Sequence, residues 1–376
     1  MANTFKFGNE KWAVGKETVL AYNDENNNFK PLPFTFDRAS TATVVNKDGL
    51  IETVGVDEPR IDFLDNTSGH LLLEPSRTNL ATYSEALSNL TVKSGTFTDN
   101  FAISPDGSQN ATKITATNTD PYFYQNFTFS STTYTMSIYV KGIGNAVGKD
   151  FQMRIAGTTP YDTFQIPSEW TRFTTTKTVS ASTSNFGLEI PDTAVIGDEV
   201  LVWGWQLEVG SYATSYIPTS GSAVTRVAET SFQSTPTNAI GQTEGTLYLE
   251  VKPTNFDGDQ RVSISDGSVT NRIALRLSGT TIQFSVVIGG TTQASISGSG
   301  SAGNLYKIAG AYKENDFVIY INGTQADVDT SGSISGTFNR IGLDRGTSAN
   351  QFYNPIRDFR LYDTRLTNTE LQNLTS

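Results

Sequence analysis

Asp316-Phe317-Val318-Ile319-Tyr320-Ile321-Asn322-Gly323-Thr324 decides the fold class of this chain. A run rich in β-branched and aromatic residues feeds an Asn-Gly pair, the composition of a two-residue hairpin turn whose central residues both take positive φ. The same grammar surrounds it. Leu247, Leu249 and Val251 share one face of an extended segment, Ile273, Leu275 and Leu277 alternate with Arg272, Ala274 and Arg276, and Ile282, Phe284, Val286 and Ile288 repeat the pattern. After a last strand-like stretch, Ile356 to Asp363, Thr367 and Glu370 have the spacing of a capping box and predict one short terminal helix.

Further upstream the period stays at two. Tyr134, Met136, Ile138 and Val140 fall on one face, and Val200-Leu201-Val202-Trp203-Gly204-Trp205-Gln206-Leu207 is apolar on both faces for most of its length. Strands at this spacing, with turn clusters such as Pro105-Asp106-Gly107-Ser108 between them, predict antiparallel sandwiches. The expected fold class is therefore all-β: two antiparallel β-sandwich (jelly-roll) domains in tandem, preceded by an extended N-terminal arm and a loop-rich segment. The expected boundaries are 1–33 for the arm, 34–78 for the loop-rich linker and oligomerisation segment, 79–225 for the first sandwich and 226–376 for the second.

Composition narrows the function classes. With 376 residues, one ordinary core is too few. Asp and Glu total 38 against 27 for Lys and Arg, a formal charge of −11, which disfavours nucleic acid and anionic membrane surfaces as partners. No apolar run approaches a spanning helix, so no membrane insertion is expected, and Met1 to Phe7 lacks the apolar region of a signal peptide. Cysteine is absent, which removes disulfides, thiol nucleophiles and thiolate metal sites.

Residues 34–85 hold a more specific pattern: Phe34-Thr35-Phe36-Asp37-Arg38-Ala39-Ser40, then Pro59-Arg60-Ile61-Asp62-Phe63, then Leu71-Leu72-Leu73-Glu74-Pro75-Ser76-Arg77-Thr78-Asn79-Leu80. Arg38, Arg60 and Arg77 sit at turn-like positions among apolar residues. Forked hydrogen bonding to backbone carbonyls or carboxylates would let them pin a loop-rich segment to a neighbouring domain. The stretch resembles the signature of bacteriophage virion appendage proteins of the head-fibre, tail-fibre or spike type. Trp170-Thr171-Arg172-Phe173, Trp203 to Gly210 and Thr214-Ser215-Tyr216-Ile217-Pro218-Thr219 resemble the carbohydrate-binding jelly-roll family. Strand, Asn-Gly hairpin, closing strand and short helix resemble the laminin G/concanavalin A-like sandwich.

The resemblance implies a non-enzymatic virion structural protein that adheres to host-surface glycan. It would be assembled in the host cytoplasm, released by lysis, and attached to other virion proteins, capsid or tail, through residues 1–33, where Asn23-Asp24-Glu25-Asn26-Asn27-Asn28 is too polar to bury. Ile61, Phe63, Leu64, Leu71, Leu72 and Leu73 form an apolar cluster in an irregular segment, which predicts a homo-oligomer, a trimer by preference. Two alternatives stay open: a particle-borne polysaccharide depolymerase and a purely architectural capsid decoration.

Catalytic chemistry is sparse. His70 is the one histidine, beside an apolar run, and no Gly-x-Ser-x-Gly stretch opens a helix. No strand carries the closely spaced acidic residues that glycoside hydrolysis on such a sheet would use. Calcium is the one cofactor the oxygen-rich loops would suit, at Asp257, Asp259 and Asp266, while the jelly-roll resemblance points to Glu208; ordinary turn chemistry explains the aspartates equally well. For glycan or subunit contact the candidates are Tyr122, Tyr124 and Phe127, because sugar sites stack apolar sugar faces on aromatic rings. Trp170, Trp203 and Trp205 are expected in the core.

Overall fold

Period-two patterning becomes strands throughout the computed structural model, which describes residues 5–8, 12, 14–15, 18–21, 32–190, 194–234, 239–347 and 349–376. Among them the architecture is antiparallel β, with a single α-helix at Asn368–Thr375. The chain forms two compact units. One gathers the described residues within 1–41, 54–75 and 228–376, and the other residues 42–53 and 76–227.

In the smaller unit two five-stranded sheets enclose one core. One sheet runs Gly95–Ala102, Ala111–Ala116, Glu199–Val209, Thr132–Ile143, Thr171–Val179; the other runs Thr91–Lys93, Tyr122–Phe129, Ser182–Glu189, Asp150–Ile155, Asp162–Gln165. Tyr134, Met136, Ile138 and Val140 all face inward, as their spacing predicts. Trp205 packs in this core against Phe123 and Phe186, whereas Trp203, on the opposite face of its strand, packs tilted against Tyr216 at 4.5 Å in a second, smaller cluster. Trp170 is only half-buried at the margin of that cluster, its indole N–H donating to the Ile103 carbonyl.

The larger unit has an eight-stranded and a nine-stranded sheet. Asp316–Ile321 and Thr324–Asp329 form the expected hairpin, with Asn322 and Gly323 at φ of 48° and 78°. Thr367 and Glu370 exchange both capping-box hydrogen bonds, and the helix they start lays Leu371 against Tyr248, Tyr320 and Tyr362.

The segment expected to be a loop-rich linker is instead divided between the units. Arg60–Asp62 and His70–Leu72 extend the eight-stranded sheet through Ile356–Tyr362, and Leu71 and Leu73 are fully buried in the larger unit's own core. Leu72 is buried as well, Ile61 packs at the core edge, and Leu64 stays exposed. Most of the apolar surplus from which a trimer was inferred, the Leu71–Leu73 run above all, is thus absorbed within one chain, while Leu64 is not. The free arm fares similarly where it is described: Phe5–Gly8 pairs with Ile356–Tyr362, Thr18–Ala21 pairs with Leu32–Asp37, and the Phe5 ring lies 5.4 Å from Phe34. The Asn-rich stretch 23–28 lies outside the described residues. Among the described residues no helix is long and apolar enough to cross a membrane.

Candidate functional site: an aromatic and arginine face

Alternation along Tyr122–Phe129 sends Phe123, Phe127 and Phe129 into the core and Tyr122, Tyr124 and Asn126 to the outer face of the smaller unit's second sheet. Phe127 is therefore a packing residue, 4.9 Å from Phe129 and 6.1 Å from Phe186, and not part of the outward-facing tyrosine pair. Register fixes what surrounds the tyrosines. Tyr122 lies opposite Glu189, Tyr124 opposite Gly187 and Asn126 opposite Asn185, while Gly187 is opposite Arg154 on the next strand.

Gly187 is the structural key. A Cβ there would come within 2.9 Å of the Tyr122 ring and 2.0 Å of the Phe123 carbonyl oxygen, so no side chain fits. The Tyr122 ring leans into this gap. It stacks on Tyr124 at 5.0 Å and 22°, and its hydroxyl donates to Asn185 Oδ1 at 2.6 Å. The Arg154 guanidinium lies 5.1 Å from the Tyr122 ring centre and 4.1 Å from that of Tyr161. Arg154 also donates to Glu189 Oε2 at 2.6 Å and to the Tyr161 hydroxyl at 2.8 Å. The result is a ladder, Tyr124, Tyr122, Arg154, Tyr161, crossing three strands and the loop beyond them.

Electrostatics keep the ladder in one protonation state. Burial lifts the Tyr122 phenol above the ordinary tyrosine range against the pull of Arg154, so it remains a neutral donor. Burial would lower Arg154, but the Tyr161 hydroxyl and Glu189 outweigh it and hold the guanidinium charged. Such a face offers rigid ring surfaces at its two ends and, between them, amide, carboxylate and guanidinium groups at fixed spacing. Rings and hydrogen-bonding groups in this arrangement can stack on and hydrogen-bond a polar ligand.

The other predicted site residues lie apart from this face. Arg38 and Arg60 are wholly buried in the larger unit and converge on Glu229. Arg38 Nη1 and Arg60 Nε each donate to Oε1 at 2.8 Å, while Arg60 Nη2 and the Glu74 N–H donate to Oε2 at 2.5 and 2.8 Å. Arg60 Nη1 pairs with Glu74 at 2.8 Å. Arg38 further reaches the carbonyls of Ser40, Gly55 and Glu58. Burial would depress Arg60, yet Glu229 and Glu74 raise it above its ordinary value.

Arg77 makes no such fork. It is half-buried in the smaller unit, donates to the Ser76 carbonyl at 3.3 Å and lies 5.3 Å from the Tyr212 ring centre. Arg77→Ala is accordingly expected to cost only about 1 kcal/mol in chemical denaturation. A loss of several times that would show that Arg77 holds buried partners.

None of the aspartates proposed for calcium shares a cage. Asp259 is clamped by Arg261 Nε at 2.8 Å and Arg276 Nε at 2.6 Å; burial would raise its pKa, but these donors hold it below the usual carboxylate range. A carboxylate already neutralised by two guanidiniums is a poor cation ligand. Asp266 accepts from the Ser268 N–H and the Asn271 amide, Asp257 lies in the turn before Asp259, and the buried Glu208 accepts from the N–H and hydroxyl of Thr214. Among the described residues no three His, Cys, Asp or Glu side chains gather as a metal site, so the residues present do not fit a calcium ion.

Sequence reasoning missed Arg154, Asn185, Tyr161 and Glu189 on the face, and Glu229 in the clamp. The alternation of Asp150–Ile155 does place Arg154 opposite Phe151, Met153 and Ile155. Only strand pairing shows which tyrosines it meets.

Residues 227–372 match the family model of the concanavalin A-like lectin/glucanases superfamily, a Laminin G type, over less than half of the chain. No curated protein matches the sequence. Several solved structures are similar to parts of it. The carbohydrate-binding module CBM40 of Ruminococcus gnavus IT-sialidase, bound to α2,3-sialyllactose, is 15% identical over 36% of this chain and 84% of its own, with a TM-score of 0.32. Domain 4 of AbnA, a GH43 extracellular arabinanase from Geobacillus stearothermophilus in complex with arabinotriose, is 14% identical over 45% and 84%, with a TM-score of 0.34. A native heptameric SAP-like pentraxin from Limulus polyphemus is 13% identical over 35% and 70%, with a TM-score of 0.29.

Proposed function

We propose that this chain is a glycan-binding protein without catalytic activity, an appendage of a bacteriophage virion that uses the Tyr124–Tyr122–Arg154–Tyr161 face to hold host-surface saccharide. The observation that carries the glycan reading is the ladder itself. A gap kept open by Gly187 positions rings and hydrogen-bonding groups on an outward sheet face, where core packing does not require them. Sugar C–H faces would meet the outer sides of Tyr124 and Tyr161, and ring hydroxyls the Asn185 and Glu189 groups between.

The virion assignment rests on the resemblance of residues 34–85, and the docking of residues 1–33 on capsid or tail proteins belongs to the same proposal. So does a homo-oligomer, trimer preferred, whose interface must lie outside the buried Leu71–Leu73 run. Light scattering on the full chain checks the mass, and purified particles probed for the chain check its location.

The binding test is a glycan array followed by titration of the best host-surface polysaccharide. Tyr122→Ala is expected to weaken binding about tenfold, because the stack and its hydrogen bond go together. Unchanged affinity in that variant would sink the proposed face. Release of reducing ends by the native chain would favour the depolymerase reading.

A further inference from the structure

The nine-stranded sheet of the larger unit carries a second surface, and its chemistry is opposite in sign to that of the acidic chain as a whole. Strand register lays its outer face out in rows. Ser263, Ala274, Ser285 and Ser295 form a floor of small side chains across four strands. On one side of the floor the next row brings Ser265, Arg272 and Val287; on the other it brings Arg261, Arg276 and Gln283. The loop after Arg340–Gly342 closes one end, where the Asp344 carbonyl accepts from the Ser263 hydroxyl and Asp344 pairs with Arg340.

The carboxylates in reach are engaged elsewhere. Asp259 holds Arg261 and Arg276, Asp344 holds Arg340, and Asp266 is bonded to Ser268 and Asn271. Arg272 and Arg345 form no ion pair among the described residues. Arg272 is more than nine-tenths buried; its Nη1 donates to the Val269 carbonyl while its Nε is unpartnered, and the equally buried Ser285 hydroxyl on the floor has no partner either. Burial, then the charges of Arg261 and Arg345, push Arg272 down to about 10. Buried polar groups are nearly always satisfied, so a buried guanidinium crowded by like charge beside an orphaned hydroxyl describes a place for an anion.

We infer that this trough binds an oxyanion-bearing saccharide, its carboxylate or sulfate held by Arg272 with Arg345 beside it. The site is separate from the tyrosine ladder. It borrows from the proposed function only the saccharide nature of the ligand.

The test is titration of the full chain with a glucuronic-acid oligosaccharide, its carboxyl-reduced neutral counterpart, a sulfated counterpart and sodium sulfate. The acidic oligosaccharides are expected to bind and the reduced one to fail; the stronger of the two identifies carboxylate or sulfate as the preferred group. Arg272→Gln is expected to weaken acidic binding at least tenfold, as lost charge-assisted forks do. Tyr122→Ala should leave acidic binding unchanged, so failure of the ladder and failure of the trough are told apart. Should Arg272→Gln not fold, Ser285→Val carries the test with the same expected weakening. Equal binding of acidic and reduced oligosaccharides, undiminished binding in the folded variant, or response to free sulfate alone would overturn the inference.

Discussion

Glu229→Ala is expected to destabilise the larger unit by about 3–5 kcal/mol, the cost of leaving buried charge without its partner. Glu229 receives two hydrogen bonds from Arg60, one from Arg38 and one from the Glu74 N–H, and both arginine side chains that meet it are buried. Two guanidiniums and two carboxylates balance, so the group is neutral as a whole. Removing Glu229 leaves two cations facing one carboxylate, in a place where water cannot replace what is lost. Glu229→Gln keeps the shape but turns an amide N–H₂ toward guanidinium donors, and is expected to lie between the native chain and the alanine variant. Urea unfolding followed at Trp12, whose indole donates to the Ser68 carbonyl, reports on this unit, whereas Trp170, Trp203 and Trp205 report on the other. An unchanged midpoint for the Trp12 transition in Glu229→Ala would show that the clamp contributes nothing. Separate transitions for the two units are also expected, and each must then be fitted by itself.

The clamp shows where sequence reading stops. That arginines in this segment would fork onto carbonyls and carboxylates followed from their neighbours, and Arg38 and Arg60 do so. Their carboxylate, however, lies 191 and 169 residues further along the chain, in a stretch with no local mark. Short strands hide in the same way. Arg60–Asp62 and His70–Leu72 have three residues each, too few to display a period, and their pairing with each other and with Ile356–Tyr362 is a property of the sheet alone. Long alternating runs behaved differently. The faces of Thr132–Ile143, Arg272–Ser278 and Thr281–Ile288, the Asn-Gly hairpin and the capping box were legible because each is decided within a dozen residues. Phe127 marks a signal that was present and not used. Counting in twos from Tyr122 and Tyr124 puts position 127 on the opposite face, where it packs. The partners of the tyrosines depend on strand order, which no local pattern encodes.

Stability of the larger unit is expected to fall by about 3 kcal/mol as the pH drops from 6.5 to 4, through His70. Its side chain is buried on His70–Leu72, and burial, then the charge of Arg357, push its pKa down to about 4; Glu74 pulls the other way, and Arg60 adds the smallest push downward. Asp62 Oδ1 lies 3.6 Å from Nε2, too far for a hydrogen bond that would hold the proton. The folded state therefore refuses a proton that the unfolded chain accepts near its ordinary value. The stabilisation is complete above 6.5, and it drains away as the unfolded state gains protons, until the folded imidazole titrates near 4. Because His70 is the only histidine in the sequence, the upper part of this window contains no other ordinary side-chain titration. Carboxylates contribute below about pH 5, and a comparison with His70→Gln, which keeps a polar side chain of similar size, subtracts them. Unfolding free energies of the two proteins should converge as the pH falls, with the native chain losing the larger share. Parallel profiles from pH 7 to 4 would mean that His70 is protonated as readily in the fold as outside it, and that Asp62 closes on it after all.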